Sequence, residues 1–441
     1  MQAGTTIANV KLDGLTAAEA LARLTPLREQ LEQTITLHIG EKQVKLEPRT
    51  LGFRWPIEEI VAQTLSAPIT DSTALAPRYD AALLRQAITE VATNAALGEV
   101  TVITSTEILS RSFAIQGGQQ LEQAATIATL ERHLLDPQLS RSVTATLTTS
   151  LRPTPEQLAA ELKTLLEPLK GVAGVYVYDL QTEQVVASFN ADTVFSGASV
   201  MKVPILLYTT LEITKPTTKQ QEWIRAMIIE SDNLKSNNLL ASAYNGTTNT
   251  ESALAGARAM NSMLQELGLK HTYQNLPYEA GEFLIGVMGM NIPRGPQNEG
   301  SKPYTDADPY VRTTPAEISQ IFIWIEQCTQ GRGPLLEQFE QQLTPTRCRD
   351  MLALLEENKD QLRMVSGFPV GTRVAHKSGW TEDMHADVGI VRSPGGDFIL
   401  AIYAYRPITN GVFTDELGSR VVGGVARLVY TFYNPKVVPL E

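Results

Sequence analysis

Residues 173–179 and 184–189 read as strands soon after a helix at 155–170. Residues 386–392 and 397–405 read as strands just before a helix at about 415–433. The segment between these pairs is long and mostly helical. Each apolar sheet face must be covered by another layer, so the economical arrangement is one sheet assembled from both ends with a helical subdomain inserted. The leading helix carries Leu158, Leu162, Leu165 and Leu169 at helical spacing. Turns at Gln181-Thr182-Glu183 and Pro394-Gly395-Gly396 join the strand pairs.

At 441 residues the chain is too long for one ordinary domain. The best linker is Ser150-Leu151-Arg152-Pro153-Thr154-Pro155, where two prolines break regular structure and Thr154-Pro155 then opens a helix. Lysine changes across it: after Lys11, Lys42 and Lys45 none occurs until Lys163. Residues 1–150 are therefore expected to be a small α+β region, in two halves without a strict repeat, and 155–441 a separate domain. Thr16-Ala17-Ala18-Glu19 reads as a capped helix start. Residues 35–46 alternate about Gly40-Glu41-Lys42 as a hairpin, and Pro56 to Leu65 reads as a helix. Helices at 80–93 and 119–135 and strands at 99–104 and 143–149 follow.

The net charge is −11 without a basic block, so a phosphate backbone would be repelled and no nucleic-acid partner is expected. The longest apolar runs, 203–208 and 397–404, are far short of a membrane span. Met1-Gln2-Ala3-Gly4 has neither a basic nor an apolar signal region, so any targeting segment is expected to lie outside this chain. Cys328 and Cys348 read either as two buried thiols or as one disulfide between neighbouring helices, the latter requiring an oxidising compartment. The five histidines are scattered, and neither a metal nor another cofactor is expected.

Three short motifs carry the chemistry. Ser199-Val200-Met201-Lys202 begins an apolar helix and places Lys202 on the same face as Ser199. A serine hydroxyl is a weak nucleophile until a base takes its proton, and a buried lysine with a lowered pKa can be that base. Ser231-Asp232-Asn233 follows a helix ending near Glu230, and Lys377-Ser378-Gly379 precedes the strand at 386–392. Each alone is a common cap, turn or strand fragment. In this order they match the SxxK, SDN and K-[ST]-G set of penicillin-recognising serine enzymes.

Residues 155–435 thus resemble the class A β-lactamase family, including the helix start Thr313-Thr314-Pro315-Ala316-Glu317. The resemblance implies a β-lactamase-like α/β (α+β) fold: an antiparallel sheet from both chain ends, flanking helices and an all-helical subdomain. It implies that Ser199 is acylated, that Lys202 is its base or proton relay, and that Ser231 passes the proton to the leaving nitrogen. Asn233 would hold the substrate's amide side chain, Lys377 would keep the site positive and orient Ser231, and Ser378 would bind the substrate carboxylate. With Gly379 between them, Ser378 and Trp380 complete the substrate edge, and the backbone N–H groups of Ser199 and Trp380 would form the oxyanion hole. The family's deacylating glutamate sits in an E-x-x-L-N run. Here 278–283 reads Tyr-Glu-Ala-Gly-Glu-Phe, so Glu279 is the expected base and Glu282 the second choice, without the Leu-Asn partner. Residues 286–312 are also longer than that loop, and Arg312 stands where an acidic residue is usual.

Two substrates fit, a β-lactam and a D-Ala-D-Ala stem peptide of peptidoglycan, with β-lactam hydrolysis narrowly favoured over a penicillin-binding DD-peptidase. A reading of another class is a non-catalytic wall-binding or sensor protein. Gly14-Leu15-Thr16 with Glu19-Ala20, Ile35-Thr36-Leu37 and Leu51-Gly52-Phe53 resemble the peptidoglycan-binding modules of VanW-like proteins. That resemblance implies a cell-wall polymer as partner of 1–150, or else a spacer, and with the catalytic motifs it implies a monomeric, extracytoplasmic enzyme.

Overall fold

The computed structural model describes residues 6–7, 10–66, 77–94, 97–104, 111–148, 153–411 and 413–438. The chain forms two compact units, one of Met1–Thr101, Ile115–Leu151 and Val437–Glu441, the other of Val102–Ala114 and Arg152–Lys436. Residues 150–152, the first half of the expected linker, lie outside the described residues, as does residue 149 of the expected strand at 143–149.

In the first unit the helix Ala17–Leu31 starts with the anticipated capping box: the Thr16 side chain accepts from Glu19 N–H, and Glu19 accepts from Thr16 N–H at 2.8 Å. The hairpin Ile35–Ile39 with Lys42–Leu46 pairs Ile35 with Leu46 and Ile39 with Lys42, and Ser142–Thr144 adds a parallel strand. Two separate apolar clusters form, one around Leu24, Trp55 and Ile57, the other around Leu37, Leu84 and Leu130. The expected helix at 119–135 begins later, at Gln123. Residues Arg111–Leu121 form a strand, and Glu122 caps the helix by accepting from Ala125 N–H.

The second unit runs as follows. Helix α1 (Pro155–Leu166) opens on a Thr154–Gln157 capping box and leads into strands β1 (Val172–Asp179) and β2 (Gln184–Phe189). After β3 (Phe195–Ser196) come helices α2 (Lys202–Glu212), α3 (Thr218–Ile229), α4 (Asn233–Asn245) and α5 (Thr250–Glu266). Short strands β4 (Tyr273–Gln274) and β5 (Val311–Thr313) precede α6 (Pro315–Thr329), α7 (Pro334–Gln338) and α8 (Pro345–Glu356). Strands β6 (Arg373–Trp380), β7 (Met384–Arg392) and β8 (Phe398–Tyr405) and helix α9 (Asp415–Tyr433) end it. No described helix is long and apolar enough to cross a membrane.

The main sheet is antiparallel in the order β2-β1-β8-β7-β6, so strands from the two ends of the unit meet at β1 and β8, pairing Val172 with Tyr405 and Asp179 with Phe398. One face packs on α1 and α9 through Leu158, Val177, Leu400 and Val429. The other packs on the helical layer through Ile205, Leu240, Phe322 and Ile390. Because both faces are covered, every residue of β8 is buried, which accounts for its continuous apolar run Phe-Ile-Leu-Ala-Ile-Tyr-Ala-Tyr. Phe113 is also fully buried in this unit's core, and its N–H donates to Thr431 Oγ1 at 2.9 Å. Cys328 and Cys348 are joined as a disulfide across a Cα separation of 5.9 Å, linking α6 to α8 with the short α7 between them in sequence.

Candidate active site

Three short strands bring the site's parts together. β5 pairs on one side with β3, which leads directly into the Ser199 turn, and on the other with β4, which leads into the loop carrying Glu279. The Ser199 turn is a 3₁₀ segment, Ala198–Met201, that runs into α2. Ala198 has φ 42°, a left-handed conformation that an L-residue adopts only at a cost of roughly 1–3 kcal/mol. The same holds for Ser231 (φ 59°) and Glu279 (φ 55°), so three of the strained positions fall on this one site.

Helix α2 is apolar on nearly all sides and fully buries Lys202. Its Nζ donates to Ser199 Oγ at 2.7 Å and to Asn233 Oδ1 at 2.7 Å, and lies 4.2 Å from the centre of the Tyr278 ring. Burial and then the charge of Lys377 push its pKa down to about 6, against the pull of Asp232 and Glu279. A neutral amine at this distance can take the serine proton.

Asp232 caps α4 by accepting from Lys235 N–H at 2.9 Å, which fixes Asn233 in the helix's first turn. Asn233 Nδ2 donates to Glu279 Oε1 at 2.7 Å. Ser199, Lys202, Asn233 and Glu279 thus form one unbroken hydrogen-bonded chain. Ser231 stands in the turn just before the cap. Among the described residues, the Lys377 ammonium donates to the Ser378 carbonyl at 2.9 Å rather than to Ser231. Glu282, the second choice of base, is exposed in a π-helical turn at Glu282–Val287.

The Glu279 loop is held by residues that the sequence reading passed over. Asn237, one turn along α4 from Asn233, donates to Tyr278 O at 2.8 Å and accepts from Tyr278 N–H at 3.0 Å. The Tyr278 hydroxyl donates to Ala198 O at 2.8 Å, tying the loop to the strained turn. The available signal was Asn237 at i+4 from Asn233 on one helix face. Arg312, which stands where an acidic residue is usual in the family, is a buried clamp. It donates to the carbonyls of Asp308 (2.6 Å), Pro296 (2.5 Å) and Ala307 (3.1 Å) and pairs with Glu299 at 3.0 Å. The long 286–312 loop is therefore closed by a cation at 312 and a carboxylate at 299.

The third side is β6. A Cβ at Gly379 would lie 3.0 Å from Ser199 N and 2.9 Å from Val200 N, so only glycine lets this strand approach the Ser199 turn. Lys377 is 1% exposed. Burial, aided by Arg363, pushes its pKa down to about 8, against Asp387 and Asp360. Asp387 in turn accepts from Met364 N–H at 3.0 Å and lies 2.8 Å from His376 Nδ1. Burial alone would raise Asp360, but the Ser378 hydroxyl and the Arg363 guanidinium hold its carboxyl below the usual range. Trp380 ends the strand with its indole exposed. Arg363 and Asp360, like Tyr278, were not marked by the sequence motifs, because they come from the 3₁₀ turn and bend ahead of β6.

Residues 157–215 and 210–433 match the beta-lactamase enzyme family. No curated protein matches the chain. Among solved structures, the chain is similar to a point mutant of PBP-A in an acyl-enzyme complex with penicillin-G, at 20% identity and a TM-score of 0.47 over 65% of this chain and 99% of that one. A class A β-lactamase from Bacteroides cellulosilyticus is 17% identical, with a TM-score of 0.47 over 64% and 99% of the two chains. An ancestral Gram-negative class A β-lactamase is 19% identical, with a TM-score of 0.45 over 62% and 98%.

Proposed function

The chain belongs to the beta-lactamase enzyme family, and from that membership we propose that it is a serine hydrolase that opens β-lactam amides through an acyl-enzyme. The observation that carries this reading is the chain Ser199–Lys202–Asn233–Glu279, with a buried lysine at one end and a carboxylate at the other. Neutral Lys202 takes the Ser199 proton as Oγ attacks the lactam carbonyl. The N–H groups of Ser199 and Trp380 hold the developing oxyanion. The lactam C–N bond breaks as Ser231 hands its proton to the nitrogen and takes in exchange the proton that Lys202 removed from Ser199, which returns Lys202 to the neutral amine. Lys377, Ser378 and Arg363 meet the substrate carboxylate, and Asn233 meets its amide side chain. Glu279 then deprotonates the water that attacks the ester, and Ser199 leaves with its proton restored.

Incubation with benzylpenicillin followed by peptide mass mapping tests the reading. The adduct is expected on the peptide holding Ser199 and absent from Ser199→Ala. An adduct elsewhere, or labelling that survives the substitution, overturns it.

A second reading, a DD-peptidase acting on peptidoglycan stem peptides, is favoured by one feature. Glu279 is exposed and joined to a single site side chain, a looser base than fast hydrolysis of the acyl-enzyme calls for. The readings divide on the lifetime of the penicilloyl adduct. If wild type turns over and Glu279→Gln traps the adduct, the protein is a β-lactamase. If wild type itself holds the adduct for hours and the substitution changes nothing, the peptidase reading stands. The first unit is read as a wall-polymer-binding or spacer module of a monomeric enzyme. The Cys328–Cys348 disulfide supports an extracytoplasmic location, where such bonds persist.

A further inference from the structure

Beyond Gly379, strand β6 runs past the nucleophile to Trp380, and a cavity of about 410 Å³ opens there. Its walls are Trp380, Ile408, Phe413 and His385, with the carboxylates of Glu382 and Asp415 beside them. Of all these groups, the acylation chemistry uses only the Trp380 backbone N–H. The volume is within the range of small-ligand sites.

The walls are apolar and wet. Trp380 and Ile408 are each 60% exposed, while Phe413 is buried against the edge of His385 at 4.8 Å between ring centres. An alkyl chain laid along them would remove that area from water.

The charges around the cavity run negative. Arg363 lies 5.9 Å from the Trp380 ring centre and is shared by two carboxylates, Asp360 at 2.6 Å and Asp415, and Arg406 at the Ile408 end of the cavity is turned to the Asn410 carbonyl. Burial lowers the pKa of His385, and Asp415 lies 3.7 Å from its Nδ1. Glu382 is exposed in the β6–β7 turn and forms no ion pair among the described residues. The exposed indole face adds a further attraction for a cation.

We propose that this cavity is a subsite for an alkyl-ammonium side chain of the acylating substrate, its stem against Trp380, Ile408 and Phe413 and its ammonium at Glu382 and Asp415. The inference rests on the acyl-enzyme reading above, which is common to a β-lactam and an acyclic D-alanyl substrate.

The test uses peptide thioesters that end in a D-alanyl group and carry lysine, Nε-acetyl-lysine or norleucine at the preceding position. Acylation efficiency, kcat/KM, is followed by thiol release, with benzylpenicillin labelling of Ser199 run in parallel. The lysine thioester is expected to lead the other two by roughly tenfold, the range of a partly desolvated charge pair. Glu382→Gln should bring the three within about twofold and Glu382→Lys should put the lysine thioester last, both with benzylpenicillin labelling unchanged. Equal rates for the three thioesters in a wild type that benzylpenicillin labels would overturn the subsite and leave the acyl-enzyme reading intact. Failure of benzylpenicillin to label wild type would overturn that reading and the subsite with it.

Discussion

At the scale of single residues, the site turns on two buried lysines held at different pKa values. Lys202 is pushed down to about 6 and Lys377 to about 8, and in the proposed mechanism the first acts when neutral and the second when charged. The acylation rate should therefore rise with pH through about 6 and fall beyond about 8, a bell with a narrow top. In Lys202→Ala the residual rate should lose the acidic limb and drop by roughly a thousandfold or more, since such groups act as a unit. A wild-type rate flat from pH 5 to 9 would mean that neither lysine takes part. Stability has its own sign. Both lysines are protonated in the unfolded chain up to about 10.5 but give up the proton earlier when folded, so the unfolded state binds more protons and stability rises with pH over that span. Lys202→Met, which removes the buried amine, should raise the urea midpoint over wild type more at pH 6 than at pH 9. An equal gain at both would show that Lys202 is not neutralised on folding.

Among elements, the strongest single tie outside the sheet is the disulfide between α6 and α8. It closes a loop over a sequence separation of 20, which in the chain-entropy account is worth about 3 kcal/mol. The Cys328→Ala/Cys348→Ala pair should lose about that much in denaturant unfolding while acylating benzylpenicillin at the wild-type rate, because neither helix carries a site residue. Unchanged stability would contradict this. The elements themselves were largely legible in the sequence, and for local reasons. Thr16 with Glu19, and Thr154-Pro155 with Gln157, write their helix starts within four residues, and Gly40-Glu41 writes its hairpin. The three motifs also marked Ser199, Lys202 and Asn233, which the structure brings within hydrogen-bonding distance of one another, because each lies on or beside a regular element. What was not legible arises from non-local contact. Tyr278 reaches Ala198 across 80 positions of sequence, and Asp360 with Arg363 faces Ser378 from a bend. Arg312 looked misplaced until its Glu299 partner was brought in by the 286–312 loop. No periodicity encodes such pairings.

For the molecule as a whole, the sequence places a linker at 150–155, yet the compact catalytic unit also takes in Val102–Ala114. Phe113 is the reason. Its ring is fully buried in the core with Leu158, Val422 and Phe432, meeting Phe432 edge-on at 6.2 Å. Its N–H is satisfied by Thr431, while Arg111 pairs with Glu161 on α1. A chain begun at residue 153 would keep every site residue and lose this plug from the face of α1 and α9 opposite the active site. Truncating a buried phenylalanine to alanine costs about 3–5 kcal/mol, from lost burial and the cavity left behind. Phe113→Ala in the full chain should therefore lower the thermal midpoint of the catalytic unit by several degrees, and the chain begun at 153 should lose at least as much. Benzylpenicillin labelling of Ser199 at 25 °C should persist in both, because the hydrogen bonds from Lys202 to Glu279 are made within 199–279. A truncated chain that melts with the full-length protein would show that the catalytic unit is complete without residues 102–114.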